Sequence, residues 1–150
     1  MNEKMKLSEH FALNEMTRTR VEGVNNMPTQ EALGNLRRLC TWLEMLREEW
    51  NHRYGKGNDP IIINSGYRSK EVNEALGGVT GSNHLTGCAA DIRVSGPEQL
   101  LRYATILLDI SEESGEAFDE LLLERKGNNV WLHFAVKPYS NRRKVKLLFH

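Results

Sequence analysis

One stretch decides the fold: Ser82-Asn83-His84-Leu85-Thr86-Gly87-Cys88-Ala89-Ala90-Asp91-Ile92. In it His84 and Asp91 lie seven residues apart, with a glycine and three small residues between them. That spacing does not place both side chains on one face of a helical turn. It suits a loop that carries the histidine, followed by a strand that carries the aspartate. Because neutral imidazole and carboxylate are both good Zn²⁺ ligands, the stretch predicts two ligands of a metal site.

A third ligand is needed, because a catalytic zinc has three protein ligands and one open position. The best candidate is His133 in Val130-Trp131-Leu132-His133-Phe134, which has the composition of a second strand. We therefore predict that His84, Asp91 and His133 bind the metal. The residues alone leave a buried hydrogen-bond network open as the alternative. Cys88 is interpreted as a small packing residue beside the site.

Length and net charge argue against several other classes of protein. The 150 residues suit one domain spanning 1–150, and 20 basic residues balance 20 acidic ones. A neutral chain offers no overall field for nucleic acid, and no apolar run approaches the roughly 20 residues of a membrane span. Residues 1–6 precede no apolar segment, so we expect synthesis in the cytoplasm without a secretory signal peptide. We also expect a monomer.

Apolar periodicity predicts helices and then paired strands. The predicted helices cover residues 7–16, 30–50 (with Thr29 as N-cap), 70–76 and a segment opened by Pro97; the predicted strands cover 61–63, 89–94, 118–124 and 130–136. The last two strands form a hairpin, and residues 137–150 are a basic tail. This order predicts an α+β fold in which a small antiparallel sheet packs against helices.

Alternation along the hairpin yields a candidate general base. If the two strands pair symmetrically, Glu124 faces Trp131 and lies diagonal to His133 on the same surface. A carboxylate there could take a proton from a water that the metal activates. The alternatives are that Glu124 holds a ligand's N–H or is a surface charge. Asp119, which has the opposite parity, is the weaker candidate for the base.

Two further residues are candidates for substrate contact. Arg68 follows a buried strand, where a guanidinium can bind a carboxylate or a developing oxyanion. An arginine that pairs with a nearby acid is the alternative. Ser82, two residues before His84, could contact substrate or cap the loop.

The sequence resembles the zinc D-Ala-D-Ala carboxypeptidases, a family that also includes vancomycin-resistance D,D-dipeptidases and phage L-Ala-D-Glu endolysins. The elements Ser65-Gly66-Tyr67-Arg68-Ser69, Asn73 with Gly77-Gly78, Ser-x-His-x-x-Gly-x-Ala-x-Asp (82–91) and Trp-x-His (131–133) occur in family order. Residues 11–17 and Asn141-Arg142 are similar to the phage and prophage branch.

The resemblance implies a hedgehog/D,D-peptidase-like fold, Zn²⁺ bound by His84, Asp91 and His133, and Arg68 acting on substrate or transition state. It also implies a peptidoglycan stem peptide as substrate and action on the bacterial cell wall. One departure matters, because several relatives carry their catalytic acid three residues before the last histidine, where this chain has Val130. Glu124 is therefore our candidate base, and a non-catalytic, zinc-containing wall-binding module is the alternative function.

Overall fold

The longest element of the fold is a buried amphipathic helix. The computed structural model describes residues 4–150, so the first three residues of the segment considered for a signal peptide lie outside it. Helix α2 spans Gln30–Arg53, and the Thr29 side chain accepts a hydrogen bond from Ala32 N at 3.1 Å. The predicted start and cap are therefore confirmed. Among the described residues, no helix is long and apolar enough to cross a membrane.

The other helices are shorter. They are α1 (Leu13–Thr17), α3 (Lys70–Ala75) and α4 (Pro97–Ser114), which has proline at its first turn as predicted. Helix α4 packs against α2. The predicted helix at 7–16 forms only in its last part. Before α1 the backbone forms a turn, in which Leu7 N donates to Phe11 O at 2.8 Å. Lys6 and Ala12 pair there in an isolated antiparallel bridge.

Five strands form one sheet in the order β1-β2-β4-β3-β5. They are β1 (Ile63–Ser65), β2 (Ala89–Arg93), β3 (Glu120–Lys126), β4 (Asn129–Ala135) and β5 (Lys144–Phe149). The α+β class and the β3–β4 hairpin are confirmed. The sheet is not wholly antiparallel, because β5 runs parallel to β3 within the segment that the sequence marked only as a basic tail.

The strand register gives the sheet one apolar face and one face that carries the predicted ligands. Ile92, Leu121, Leu123, Leu132 and Phe134 point from one face into the core that α2 and α4 cover. On the other face Asp91 lies opposite His133, and His133 lies opposite Leu122, in one row across three strands. Side chains directly opposite each other in neighbouring strands have Cβ atoms about 5 Å apart. This row therefore places two predicted ligands side by side.

Candidate metal centre

His84 is presented by a short 3₁₀ turn, Asn83–Thr86, packed on the end of the sheet. The Ser82 hydroxyl accepts a hydrogen bond from the His84 backbone N–H at 3.2 Å, and Gly87 ends the turn with a φ of 76°. The buried imidazole donates from Nδ1 to the Gly66 carbonyl at 2.7 Å. A carbonyl can only accept, so this contact fixes the tautomer and leaves Nε2 as the lone-pair nitrogen. Nε2 lies 3.4 Å from Asp91 Oδ1.

His133 approaches the same carboxylate oxygen from the opposite side. Its Nδ1 lies 3.0 Å from Asp91 Oδ1, and the two imidazole rings meet edge to face with centroids 5.2 Å apart. One ligand atom from each of His84, Asp91 and His133 lies within 4.8 Å of the other two. The structure thus brings together the three residues that the sequence predicts as ligands. Two imidazoles and one carboxylate are a donor set that zinc accepts.

Glu120 is a site residue that the sequence analysis missed. Its Oε1 lies 2.9 Å from His133 Nε2, on the side of the ring away from Asp91, and it also accepts from Asn83 Nδ2 at 2.7 Å. Parity places Glu120 on the correct face of β3, but its direct strand neighbour is Ala135. The small alanine leaves room for Glu120 to reach diagonally to His133. Strand parity, the signal available in the sequence, places Glu120 on this face but does not predict the contact.

The charges of this cluster support one another. Burial alone would raise the pKa of Asp91, but His84 and His133 hold it well below its ordinary value. Burial alone would lower the pKa of His133, but hydrogen bonds to Asp91 and Glu120 raise it to about 9. The hydrogen bond from His133 is also the main cause that lowers the pKa of Glu120. Both carboxylates are therefore ionised at neutral pH and stabilise positive charge between them.

Arg68 holds the outer oxygen of the Asp91 carboxylate. Its Nη2 donates to Asp91 Oδ2 at 3.2 Å, and its Nε donates to Ser65 Oγ at 3.0 Å. The side chain is only 15% exposed and lines the cavity above the cluster. A third donor, Nη1, reaches Asn73 Oδ1 at 3.5 Å, so three of its five donors have partners and two remain for a ligand in the cavity.

Glu124 lines the same cavity one row further along β3. It lies opposite Trp131, as predicted, and its Oε2 accepts from Trp131 Nε1 at 3.1 Å. Its Oε1 lies 2.9 Å from His150 Nε2, and the His150 ring stacks on Trp131 with an interplanar angle of 12°. The carboxylate is thus held by two neighbours, of which the sequence predicted Trp131 but not His150.

Asp119, the alternative candidate for the base, lies in a different environment. Its carboxylate is fully buried and is held by Arg142, with Nε donating at 3.0 Å to Oδ1 and Nη2 donating at 2.8 Å to Oδ2. Asn83 Nδ2 donates to Oδ2 at 2.8 Å. Burial opposes ionisation, yet these donors keep the pKa of Asp119 well below its usual range. Cys88 is likewise buried, and burial raises the pKa of its thiol.

The cluster of His84, Asp91 and His133 opens into a cavity of about 730 Å³. One wall is the loop containing Gly77, Gly78 and Ser82, and the other is formed by β3 and the cleft-facing side of β5. Val130 has the opposite strand parity from His133 and lies opposite Arg125. The cavity, the three ligand atoms and the flanking carboxylates define a hydrolase-type metal site on an α+β scaffold.

Comparison with known families agrees with this class. The family model described as Peptidase M15 matches residues 9–113, which is more than half of the chain, so the protein belongs to that family. The family consists of zinc peptidases and includes D-Ala-D-Ala carboxypeptidases and endolysins. The matched segment contains His84 and Asp91 and ends before His133, whose assignment depends on the geometry above. No curated protein matches the chain significantly.

Proposed function

We propose that the chain is a single-domain zinc metallopeptidase that hydrolyses peptide bonds in the stem peptides of bacterial peptidoglycan. The observation that carries the proposal is the convergence of His84 Nε2, Asp91 and His133 in a chain of the Peptidase M15 family. The activity is either removal of a terminal D-Ala or endolysin-type cleavage inside the stem. Its site of action is the cell wall, in keeping with the similarity to the phage branch.

The three side chains fit Zn²⁺ by their chemistry. The Gly66 carbonyl on His84 Nδ1 and the Glu120 carboxylate on His133 Nε2 are the outer partners that ligating histidines have in zinc proteins. They leave His84 Nε2 and His133 Nδ1 directed at Asp91. Three protein ligands leave a position open for substrate, as in catalytic rather than structural sites. When bound, zinc supplies Lewis-acid polarisation of a carbonyl and makes water acidic enough to attack near neutral pH.

Glu124 is the proposed general base. Glu120 contacts the His133 nitrogen that points away from the other ligands, so its contact suits positioning of the ring rather than proton transfer at the open side. Glu124 lines the cavity without touching a ligand, and Trp131 and His150 hold its carboxylate in place. Glu124 would accept a proton from the attacking water and donate it to the leaving amine.

Arg68 and Ser82 complete the proposed machinery. Arg68 keeps donors available in the cavity and would stabilise negative charge that develops on the substrate. Its contact with Asp91 also fixes the orientation of that ligand. Ser82 caps the turn that presents His84 and lines the cavity, so it would contact substrate while holding the histidine.

The base assignment is tested with two isosteric variants, Glu124→Gln and Glu120→Gln. Glu124→Gln should lower kcat by about 10²- to 10⁴-fold while zinc content stays near that of the wild type. Glu120→Gln should weaken zinc affinity by about 10- to 100-fold and recover activity at high zinc concentration. If the zinc-saturated Glu120→Gln variant is inactive and Glu124→Gln is active, the two roles are exchanged.

The activity itself is tested by mass spectrometry of purified muropeptides incubated with the zinc-loaded protein, with and without a chelator. Loss of one D-Ala identifies a carboxypeptidase, and release of a longer peptide identifies an endopeptidase. His84→Ala should lose both zinc and activity. Absence of any cleavage by protein with full zinc content would support the alternative of a non-catalytic wall-binding module, which the valine at position 130 favours.

A further inference from the structure

The cavity concentrates positive charge in a chain whose net charge is zero. Five cationic side chains and three carboxylates line it: Arg68, Lys126, Lys137, Arg142 and Lys144 against Asp91, Glu120 and Glu124. Histidines aside, the difference of five and three leaves the lining at +2, and the buried Asp119 carboxylate that pairs with Lys137 and Arg142 reduces this to +1. A cleft lined by one sign of charge concentrates ligands of the opposite sign.

The excess is located at one end of the cleft. Lys137, Arg142 and Lys144 come from one short segment and surround the end of β3 that begins with Glu120. Lys144 is the direct strand neighbour of Glu120, and Arg142 Nη2 lies 3.5 Å from Glu120 Oε2. Three cations therefore face the two carboxylates Glu120 and Asp119, which leaves one positive charge. At the other end, Glu124 balances Lys126.

Several N–H donors of these three cationic side chains are not used within the protein. Arg142 uses Nε and Nη2 on Asp119, and its side chain remains 53% exposed. Lys137 Nζ reaches Asp119 Oδ1 only at 3.5 Å. Within residues 4–150, the Lys144 amine has no hydrogen bond or ion pair, although its side chain lines the cavity. The Asp119 contacts hold Arg142 in place, so this end of the cleft presents a fixed guanidinium beside an unpaired ammonium.

We propose that Lys137, Arg142 and Lys144 form a subsite for a carboxylate of the peptide substrate, with Lys144 as the main specificity determinant. The proposal rests on the proposed peptidase function and adds a second anion-recognition point to Arg68. Arg68 contacts Asp91, whereas the new subsite lies at the Glu120 end of the cleft. Charge-assisted hydrogen bonds from lysine and arginine favour a carboxylate over the uncharged amide of the same shape.

The test compares two stem peptides that differ in one group, with the α-carboxyl of the second-position D-glutamate either free or amidated. The wild-type enzyme should have a kcat/KM about three- to tenfold higher for the free acid, through KM rather than kcat. Lys144→Met should bring this ratio close to one. Lys56→Met, which removes one charge from an exposed loop position that does not line the cavity, should keep the wild-type ratio. The ratio should also fall at high salt.

A wild-type ratio of one, or an unchanged ratio in Lys144→Met, would overturn the subsite while cleavage of both peptides would leave the peptidase function standing. Calorimetric binding of the same two peptides to zinc-loaded Glu124→Gln tests the subsite separately from catalysis. Tighter binding of the acid that depends on Lys144 supports the subsite even if the wild type cleaves neither peptide. Equal binding of the acid and the amide contradicts it.

Discussion

At the scale of single residues, the same strand face carries carboxylates with different surroundings. Glu120 and Glu124 are both on the cleft side of β3, but one contacts His133 and the other contacts Trp131. Strand parity predicted the face and the Glu124–Trp131 pairing correctly. It could not predict the Glu120 contact, because the direction of a long side chain depends on the space that its neighbour leaves, and here that neighbour is Ala135.

The proximity of the three predicted ligands, by contrast, was predictable from the sequence. His84, Asp91 and His133 have chemistry that is informative in sequence, and their loop and strand assignments were sufficient to bring them together. The outer contacts were not predictable, because the Gly66 carbonyl on His84 is a backbone group and leaves no residue-type signal.

Asp119 gives a prediction at this scale that concerns stability and pH. Its carboxylate is fully buried, and its pKa is depressed by the hydrogen bonds from Arg142 and Asn83 although burial opposes ionisation. A depressed folded-state pKa stabilises the fold above the unfolded pKa of about 3.9, and this stability is lost as the pH falls through the lower folded pKa. Asp119→Asn should therefore lower the free energy of unfolding by about 2 kcal/mol at pH 7.

The difference between Asp119→Asn and the wild type should shrink as urea unfolding is measured at successively lower pH below about 4. Asp109→Asn serves as the matched control, because Asp109 pairs with Arg53 at 2.8 Å but is 42% exposed. That variant should lose less than about 1 kcal/mol. A gap between wild type and Asp119→Asn that stays constant from pH 7 to pH 3 would contradict the ion-pair explanation.

At the scale of elements, the sequence predicted those with strong periodicity or clear end signals. Helix α2 begins where Thr29 caps it, and α4 begins at Pro97. Strand β5 was missed because its apolar side chains Val145, Leu147 and Phe149 are exposed, in a segment whose basic residues suggest a solvated tail. Its parallel pairing with β3 depends on a contact distant in sequence, which local patterns do not encode.

The turn that presents His84 gives a prediction for an element. Gly87 has a φ of 76°, and a Cβ there would lie 2.5 Å from the Ala32 carbonyl oxygen of α2. Gly87→Ala should combine backbone strain of about 1 kcal/mol with a steric displacement of the turn from α2. We expect a loss of unfolding free energy clearly above that strain alone, together with weaker zinc binding, because the turn positions His84.

Gly115→Ala is the matched control, since Gly115 ends α4 with a φ of 73° and a Cβ there would meet nothing within 4 Å. It should show only the cost of about 1 kcal/mol for a side chain in the left-handed region, with unchanged zinc affinity. Thermal unfolding and zinc titration of both variants measure the comparison. Equal losses in the two would show that contact with Ala32 has no effect on the turn.

At the scale of the whole molecule, the candidate metal site brings together residues from separate parts of the chain. The 3₁₀ turn carries His84, β2 carries Asp91 and β4 carries His133, while Glu120 contacts His133 from β3 and Arg68 contacts Asp91 from the end of β1. The ionisable side chains of the cluster, which pair with one another, therefore lie together on one face of the sheet. The apolar face beneath is held by α2 and α4 independently of the metal.

This arrangement predicts that zinc stabilises the folded protein without being required for folding. A ligand that binds only the native state at 100 times its Kd adds about 2.7 kcal/mol, which for a chain of this size raises Tm by roughly 5 to 10 °C. Thermal unfolding with zinc, and after chelation, measures the shift. His84→Ala should remain folded through its apolar core and show no zinc-dependent shift. Collapse of the wild-type fold on chelation would instead make the metal a structural element, and an equal zinc shift in His84→Ala would place the ion elsewhere.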